Sequence, residues 1–517
     1  GVRAGVVALT KADLVDDEWL ALVADDVRAA IAGGPLEDAP IVPVSAVTGR
    51  GLDALRAALA DAVRSVPARV VDDLFRMPVD RAFTIRGTGT VVTGTVWSGA
   101  LARDAALRLY PAGDVVRVRG LQAHGSIVDR IVAGQRAAIA LAGVELSRVA
   151  RGAVLVAGDA WRPTAVLRAD VALLADAPRT VGPRSALRLH LGTSEVGARV
   201  VAPGGPLAPG DARPARIVVD EPVVSRAGDR FVLRGGSPTA TVGGGIVTDP
   251  LAPRRARPWR RAEHTPTEAL VHFLDEAGVA GVAIGELPVR LGVTRRELDD
   301  VLASADAWRV EDRLYAREVR DVVGAQIVET VAAHHTSRPL DAGAPRQWLR
   351  TRIRAPEPLV DAVTDALVRD GRLAVEQGEI RLAEFTPRLS GRLATTAAAH
   401  RDRLAAAGAE PPTLEELAAL LALDPAELAS VARMLARDGE LVVVEPGRYY
   451  ARAALVDLVE RLQAGMATNA DYGPADLRES VGLTRKFLIP FLEYCDRMGY
   501  TVRNEQGRRS RGADLAR

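Results

Sequence analysis

A chain of 517 residues exceeds what one hydrophobic core can organise, and at roughly 100 to 200 residues per domain it predicts several domains. It is 48% hydrophobic and 26% charged with no run of 18 uncharged apolar residues, which excludes general disorder and a membrane-spanning helix. One cysteine, Cys495, excludes an internal disulfide, and the seven histidines lack metal-ligand spacing. No metal site and no membrane partner are therefore expected, and a cytoplasmic location is. The net charge of +1 means that any acidic partner must be met by local patches. Only Lys11 and Lys486 among the 67 basic residues are lysine, so each asks for a local explanation. The first residues carry neither a secretory signal nor an initiator Met, and the sequence is expected to begin inside a longer protein.

In chain order, residues 6–9 and 41–44 read as apolar strands, each followed by a loop and then a helix, over 17–32 and 51–63. This is the closing half of an α/β domain. From residue 74 to about 248 the pattern changes to short alternating β segments with frequent Gly, including 91–96, 115–118, 186–191, 216–219 and 229–233, which predicts two barrels in tandem. The segment 250–261 holds Arg254, Arg255, Arg257, Arg260 and Arg261 and no acid. Its composition predicts a solvated hinge, with an RNA-facing strap as the alternative.

Beyond the hinge the periodicity is helical and repeats itself. The run from Leu291 to Leu298 matches that from Val481 to Leu488, each opening an amphipathic helix after a Gly turn. Arg369 to Leu373 likewise matches Arg437 to Leu441, each leading into a hairpin that turns at Gly378 or Gly447. Helix-turn-helix followed by a hairpin is a winged helix, and four such units are expected between His264 and Gly512. The expected domains are 1–68, 72–158, 163–250, a linker at 251–262, and winged helices at 263–317, 318–386, 387–453 and 454–512.

Two loops carry recognisable chemistry. Thr10, Lys11, Ala12 and Asp13 follow the first strand, and Ser45 and Ala46 follow the second. An Asp at a strand end can accept from both N1–H and the exocyclic amine of guanine, a bidentate fit that adenine cannot make. The Lys11 stem can cover the base, and the Ala46 N–H can donate to O6. A phosphate-cradling loop of the form G-x4-G-K-[ST], with its hydroxyl for magnesium, does not occur in this sequence. GTP hydrolysis is therefore not expected from the residues present, and no catalytic residue is assigned.

These loops resemble the fourth and fifth guanine boxes of the translational GTPases, although Thr10 stands where most members have Asn. The stretch from Met77 to Ile85, then Gly87 to Thr95, Ala133 to Ala137 and Arg151–Gly152, is similar to the opening and body of their second domain. Two barrels followed by four winged helices, ending in the run from Thr484 to Arg497, resemble the bacterial selenocysteine-specific elongation factors, the SelB family. The resemblance implies a partial P-loop-type G domain, two β-barrels and four tandem winged helices. It implies GTP and Mg2+ as cofactors of the intact factor, with Thr10, Lys11, Asp13, Ser45 and Ala46 on the base. It further implies a selenocysteyl pocket at Asp80, Arg81 and Arg151, since guanidinium groups can hold a selenolate whereas serine offers no charge. A selenocysteine-insertion mRNA hairpin is expected at Thr484, Arg485, Lys486, Arg503, Arg508 and Arg509, where residues 480–517 hold eight basic and four acidic residues. The implied partners are selenocysteyl-tRNA, that hairpin and the ribosome, bound by a monomer at UGA codons. A non-catalytic RNA-binding adaptor, a general elongation factor of the Tu type and a winged-helix transcription regulator are the competing expectations.

Overall fold

The computed structural model describes residues 4–236, 239–376, 378–389, 391–466, 471–505 and 507–510; the outer ends of the first and last expected domains, and the Arg509 side chain, lie outside the described residues. The chain forms two compact units, Gly1–Arg317 and Glu318–Arg517. Among the described residues, no helix is long and apolar enough to cross a membrane.

The first unit opens with strands Val7–Leu9 and Ile41–Pro43, paired parallel with Val7 opposite Ile41. Helix Asp17–Ile31 follows the first strand and starts where the Asp16 carboxylate accepts from the Trp19 N–H. Helix Leu52–Ser65 follows the second and buries no residue. Trp19, Leu22, Leu59 and Val63 are exposed, so this small sheet leaves apolar helix faces uncovered.

Two barrels follow. In the first, strands Arg136–Ala142, Gly89–Thr95, Arg76–Ile85, Val154–Val156, Ala106–Tyr110 and Asp114–Ala123 pair in that order, and the last pairs back onto the first. Alternate side chains point inward to a core that includes Met77, Val79, Val92, Leu109 and Ile139. In the second, Thr164–Leu173, Ala212–Val223, Ser194–Val201, Leu187–Leu191, Arg230–Gly235 and Ala240–Asp249 close the same way around Leu167, Ile217 and Leu233. A winged helix completes this unit: helices Pro266–Ala277, Leu287–Leu291 and Arg295–Ser304, then the hairpin Ala307–Val310 and Arg313–Ala316.

Buried ion pairs join these three parts. Arg76 of the first barrel donates to Asp229 of the second, 2.7 Å from Nη2, with its guanidinium over the rings of Trp97 and Trp161. Arg226 reaches Asp73 on one side and the carbonyls of Pro288 and Val293 on the other. Asp249, fully buried, accepts from Arg290 at 2.8 Å and from Arg168 at 3.5 Å, and Arg168 also pairs with Glu276. Leu74, Trp161, Val224 and Val289 pack around this junction.

The segment 250–261 is not the solvated hinge its composition predicts. Ala252 and Ala256 are buried against Val166 and Val218 of the second barrel. Arg216 donates to the Arg254 carbonyl, Arg260 to that of Ala212 at 2.6 Å, and the Arg261 N–H to Asp170 at 3.0 Å. The small alanines let the main chain lie against the barrel, while Arg254, Arg255 and Arg257 stay exposed.

The second unit repeats one plan three times. Helices Arg317–Ser337, Arg346–Arg352 and Glu357–Arg369 precede the hairpin Leu373–Glu376 and Glu379–Leu382. Helices Gly391–Ala407, Leu414–Leu421 and Pro425–Arg437 precede Leu441–Glu445 and Arg448–Ala451. Helices Arg452–Ala464, Pro474–Val481 and Arg485–Met498 precede Thr501–Arg503 and Arg508–Ser510. The last two repeats share a core, since Val444 and Tyr450 pack with Leu458, Leu477, Phe487 and Phe491.

Two outcomes test these contacts. Asp249→Ala leaves Arg290 without its counter-ion and Arg168 with Glu276 alone, and should destabilise the first unit by about 3 to 5 kcal/mol in urea unfolding, whereas Arg64→Ala, which removes an exposed helical pair, should leave the midpoint almost unchanged. In the second unit His400 is fully buried with neither ring nitrogen hydrogen-bonded among the described residues, and burial pushes its pKa down to about 4. The unfolded chain then binds the proton first, so stability should fall as pH drops from about 6.5 to about 4, and His400→Leu should flatten that fall.

Candidate functional site

Parallel pairing of the first two strands brings both guanine-type loops to the same end of the sheet. The Ala12 N–H donates to the Val44 carbonyl at 3.1 Å, the Ser45 N–H to that of Arg50 at 2.9 Å, and Ala12 and Ser45 are buried. Arg50 ties the loops to the next helix through the Ala12 carbonyl and Asp17. Lys11 adopts φ 61°, which turns the chain outward. Thr10, Lys11, Asp13 and Ala46 are exposed. Neither the Lys11 ammonium nor the Asp13 carboxylate has a protein partner among the described residues, and the Ala46 N–H has no acceptor there. An unpaired acceptor pair and an unpaired N–H on adjacent loops fit the edge of guanine.

The second cluster lies on the first barrel. A register shift between Val79 and Arg81 puts Asp80 in a bulge. Its carboxylate accepts from Thr93 Oγ1 at 2.6 Å and pairs with Arg136 Nη1 at 2.6 Å. Arg151 joins this edge through the main chain, because the Gly152 N–H donates to the Val79 carbonyl at 3.3 Å and the Val79 N–H to that of Ala153 at 2.8 Å. Gly152 has φ 92° and lies against Ser194 of the second barrel, whose Cα would be 2.9 Å from an added Cβ. Arg81 and Arg151 are exposed and have no acidic partner among the described residues. Arg136 was not singled out from the sequence. Its position in the Gly134, Gln135, Arg136 turn was visible there, but the pairing with Asp80 across 56 residues needed the fold.

The third cluster opens the last helix-turn-helix. Leu483, Phe487, Phe491 and Tyr494 are buried, Arg485, Lys486 and Arg503 are exposed, and Ile489 is half-buried. Arg508, expected on the exposed wing, is instead buried: its Nε donates to Asp496 at 2.9 Å and its main chain bridges Tyr472. It serves the fold and is withdrawn from the RNA-facing set. Thr484 donates its N–H and hydroxyl to Glu410 at 3.0 and 2.8 Å, and Lys486 Nζ is 3.5 Å from Glu416. The Thr413 N–H, with help from Lys486, holds the Glu416 carboxyl below its usual range.

The two matched repeats end differently. In the first winged helix Thr294 and Glu297 form a capping box, and Gly292 presses on the Ala227 carbonyl of the barrel, 2.3 Å from where a Cβ would stand. In the last one Phe487 occupies the third helical position, so no capping box forms. The N–H groups of Arg485 and Lys486 are left without acceptors among the described residues.

Comparison with known proteins agrees with this layout. Residues 89–156 match the family described as elongation factor Tu domain 2, and 168–254 the selenocysteine-specific elongation factor β-barrel domain. Residues 328–382 and 466–510 match elongation factor SelB winged helices. The selenocysteine-specific elongation factor of Desulfomicrobium baculatum is 33% identical, over 97% of this chain and 82% of that protein. Its namesake in Escherichia coli K12 is 29% identical over 96% of this chain and 80% of that protein. The crystal structure of bacterial selenocysteine-specific elongation factor EF-Sec superposes with a TM-score of 0.67 at 20% identity, covering 99% of this chain and 82% of that one, and so shares the fold. A Tu-type second domain joined to a further barrel and a winged-helix tail defines the class, a GTP-binding translation elongation factor. Within that class, the chain belongs to the selenocysteine-specific elongation factor family, SelB.

Proposed function

We propose that this chain carries selenocysteyl-tRNA to ribosomes at UGA codons and selects those codons by gripping an mRNA hairpin with its last winged helix. The observation that supports this most directly is the barrel cluster, where Arg81 and Arg151 are exposed and unpaired beside the Asp80–Arg136 pair. A selenol is more acidic than a thiol and is an anion near neutral pH. Guanidinium groups at a half-sheltered edge hold that anion, and Asp80 sets the direction of Arg136, leaving fewer ways to accept a neutral serine. Arg136 therefore joins Asp80, Arg81 and Arg151 in the proposed pocket.

GTP supplies the switch for such a factor when bound. Here Asp13, Lys11 and Ala46 would hold its base, with Ser45 buried beneath them and Thr10 at the strand end. The boundaries at 68, 158, 250, 317, 386 and 453 are retained as the proposed division of labour, with base recognition, aminoacyl recognition and RNA reading in separate domains.

For the hairpin, we assign Arg485, Lys486 and Arg503, together with the unpaired N–H groups behind Thr484, to phosphates and loop bases. Thr484 and Lys486 must release Glu410 and Glu416 to do so. The ion pair is exposed, and such pairs contribute little, so RNA phosphate can replace it.

Arg81→Ala or Arg136→Ala should weaken selenocysteyl-tRNA binding by about 1.5 to 3 kcal/mol and seryl-tRNA binding by much less; equal losses would reassign these arginines to the tRNA backbone or the barrel. On the hairpin, Arg485→Ala should lower affinity more than Lys486→Ala, because Arg485 has no carboxylate to leave. Each should reduce the slope of log affinity against log salt by roughly 0.7 to 0.9. An unchanged slope in both would remove this helix from RNA reading.

A further inference from the structure

The Pro/Arg segment remains unexplained by the sites above. It carries Arg254, Arg255 and Arg257, all exposed, and none has an acidic partner among the described residues. Arg216 adds a fourth uncompensated guanidinium, placed at the Arg254 carbonyl. The nearby carboxylates are engaged elsewhere: Asp170 with the Arg261 N–H, Asp211 with Arg213, and Glu263 with Arg260 at 3.8 Å.

A mobile tail of this composition would be an ordinary solvated linker. This one is fixed. Ala252 and Ala256 are buried on the barrel, Arg216 donates to the Arg254 carbonyl, the Arg260 guanidinium to that of Ala212, and the Arg261 N–H to Asp170. The segment is turned rather than extended, since the Ala256 N–H donates to the Pro253 carbonyl at 3.0 Å, so Arg254 and Arg255 stand on the corner of an ordered turn and Arg257 just past it. Like charges held together without compensation oppose folding and gain only when an anion arrives. Three exposed guanidiniums within four residues, with Arg216 beside them, offer more donors than one phosphate can use, which suits a repeating anion rather than a single one. Arginine forks match phosphate oxygens two at a time.

We propose that this strap is a docking surface for the phosphate backbone of the tRNA, separate from the aminoacyl pocket and indifferent to the amino acid carried. This rests on the tRNA-carrying function proposed above. The tRNA is preferred over the mRNA hairpin because the strap is built on the second barrel, which meets the first barrel beside Arg151 at the Gly152–Ser194 contact.

The test is the full chain with Arg254, Arg255 and Arg257 all changed to Gln, titrated with selenocysteyl-tRNA, seryl-tRNA and the mRNA hairpin at several salt concentrations. Affinity for both tRNAs should fall at least tenfold near 0.15 M salt, with the salt slope reduced by roughly 2 to 3. Hairpin binding and the thermal midpoint should not change, and the triple Lys variant should recover most of the slope. Unaltered tRNA affinity and slope in the Gln variant would overturn the strap assignment while leaving the pocket intact. Equal loss on the hairpin would reassign the strap to the mRNA, and loss of binding to anionic lipid vesicles with tRNA binding unaltered would overturn it in favour of a membrane surface. If the unmodified chain failed to prefer selenocysteyl- over seryl-tRNA but the Gln variant still lost affinity for both, the pocket would fall and the strap would stand. Absence of any tRNA binding by the unmodified chain would sink both.

Discussion

Asp249 sits in the first unit with no access to water and two guanidiniums on it, and much of what surrounds it depends on that arrangement. A carboxylate or a guanidinium alone in such a place would cost several kcal/mol of lost hydration, so neither is tolerated without the other. Arg168 comes from the second barrel, Arg290 from the first winged helix, and Glu276 from the helix behind it. The same device recurs where Arg76 crosses to Asp229 and Arg226 to Asp73. Three parts that could each close a core of their own are thereby made to dock in one way, because sliding any interface would strand a buried charge. Planar, many-donor arginine suits this better than lysine, and the chain uses arginine for 65 of its 67 basic residues.

Docking fixes more than stability. The Arg151 loop lies at the seam between the barrels, where Gly152 meets Ser194 without room for a side chain. The distance between that loop and the Asp80 bulge is set by paired strands on one side and by the neighbouring barrel on the other. The pocket proposed there would need that rigidity to tell one small side chain from another, since binding energy from a single charge is lost when its partner can wander.

How much of this was legible in the sequence follows from the range of the interactions. Strands, helices and the winged-helix repeat are short-range patterns, and the two barrels, the Gly turns and the Leu483–Phe487–Phe491 face followed from them. Contacts between distant residues did not. Arg508 and Arg503 look alike in a row of letters, yet one is folded onto Asp496 and the other is free. The pairing of Arg136 with Asp80 became visible only when its strand was laid beside the Asp80 bulge. The Pro/Arg segment misled for another reason: five arginines outweigh two alanines in any composition, although Ala252 and Ala256, four residues apart, are what bind it to the barrel.

The two copies of the Gly-turn motif show how one local pattern is put to opposite uses. Next to Gly292 the chain satisfies its own helix start with Glu297 and presses the turn onto the barrel, so that end is closed to ligands. Next to Gly482 the equivalent glutamate is replaced by Phe487, which the core requires, and its place on Thr484 is taken by Glu410 of the preceding repeat, while Glu416 of that repeat pairs with Lys486. Those carboxylates occupy the place that a phosphate would take, at the positive end of a helix and beside Lys486. The core shared by the last two repeats places these carboxylates beside that helix start. If Arg485, Lys486 and Arg503 read RNA as proposed, an arriving phosphate must displace these carboxylates, a condition that a hairpin with further contacts to loop bases and to Arg503 meets more readily than a general polyanion.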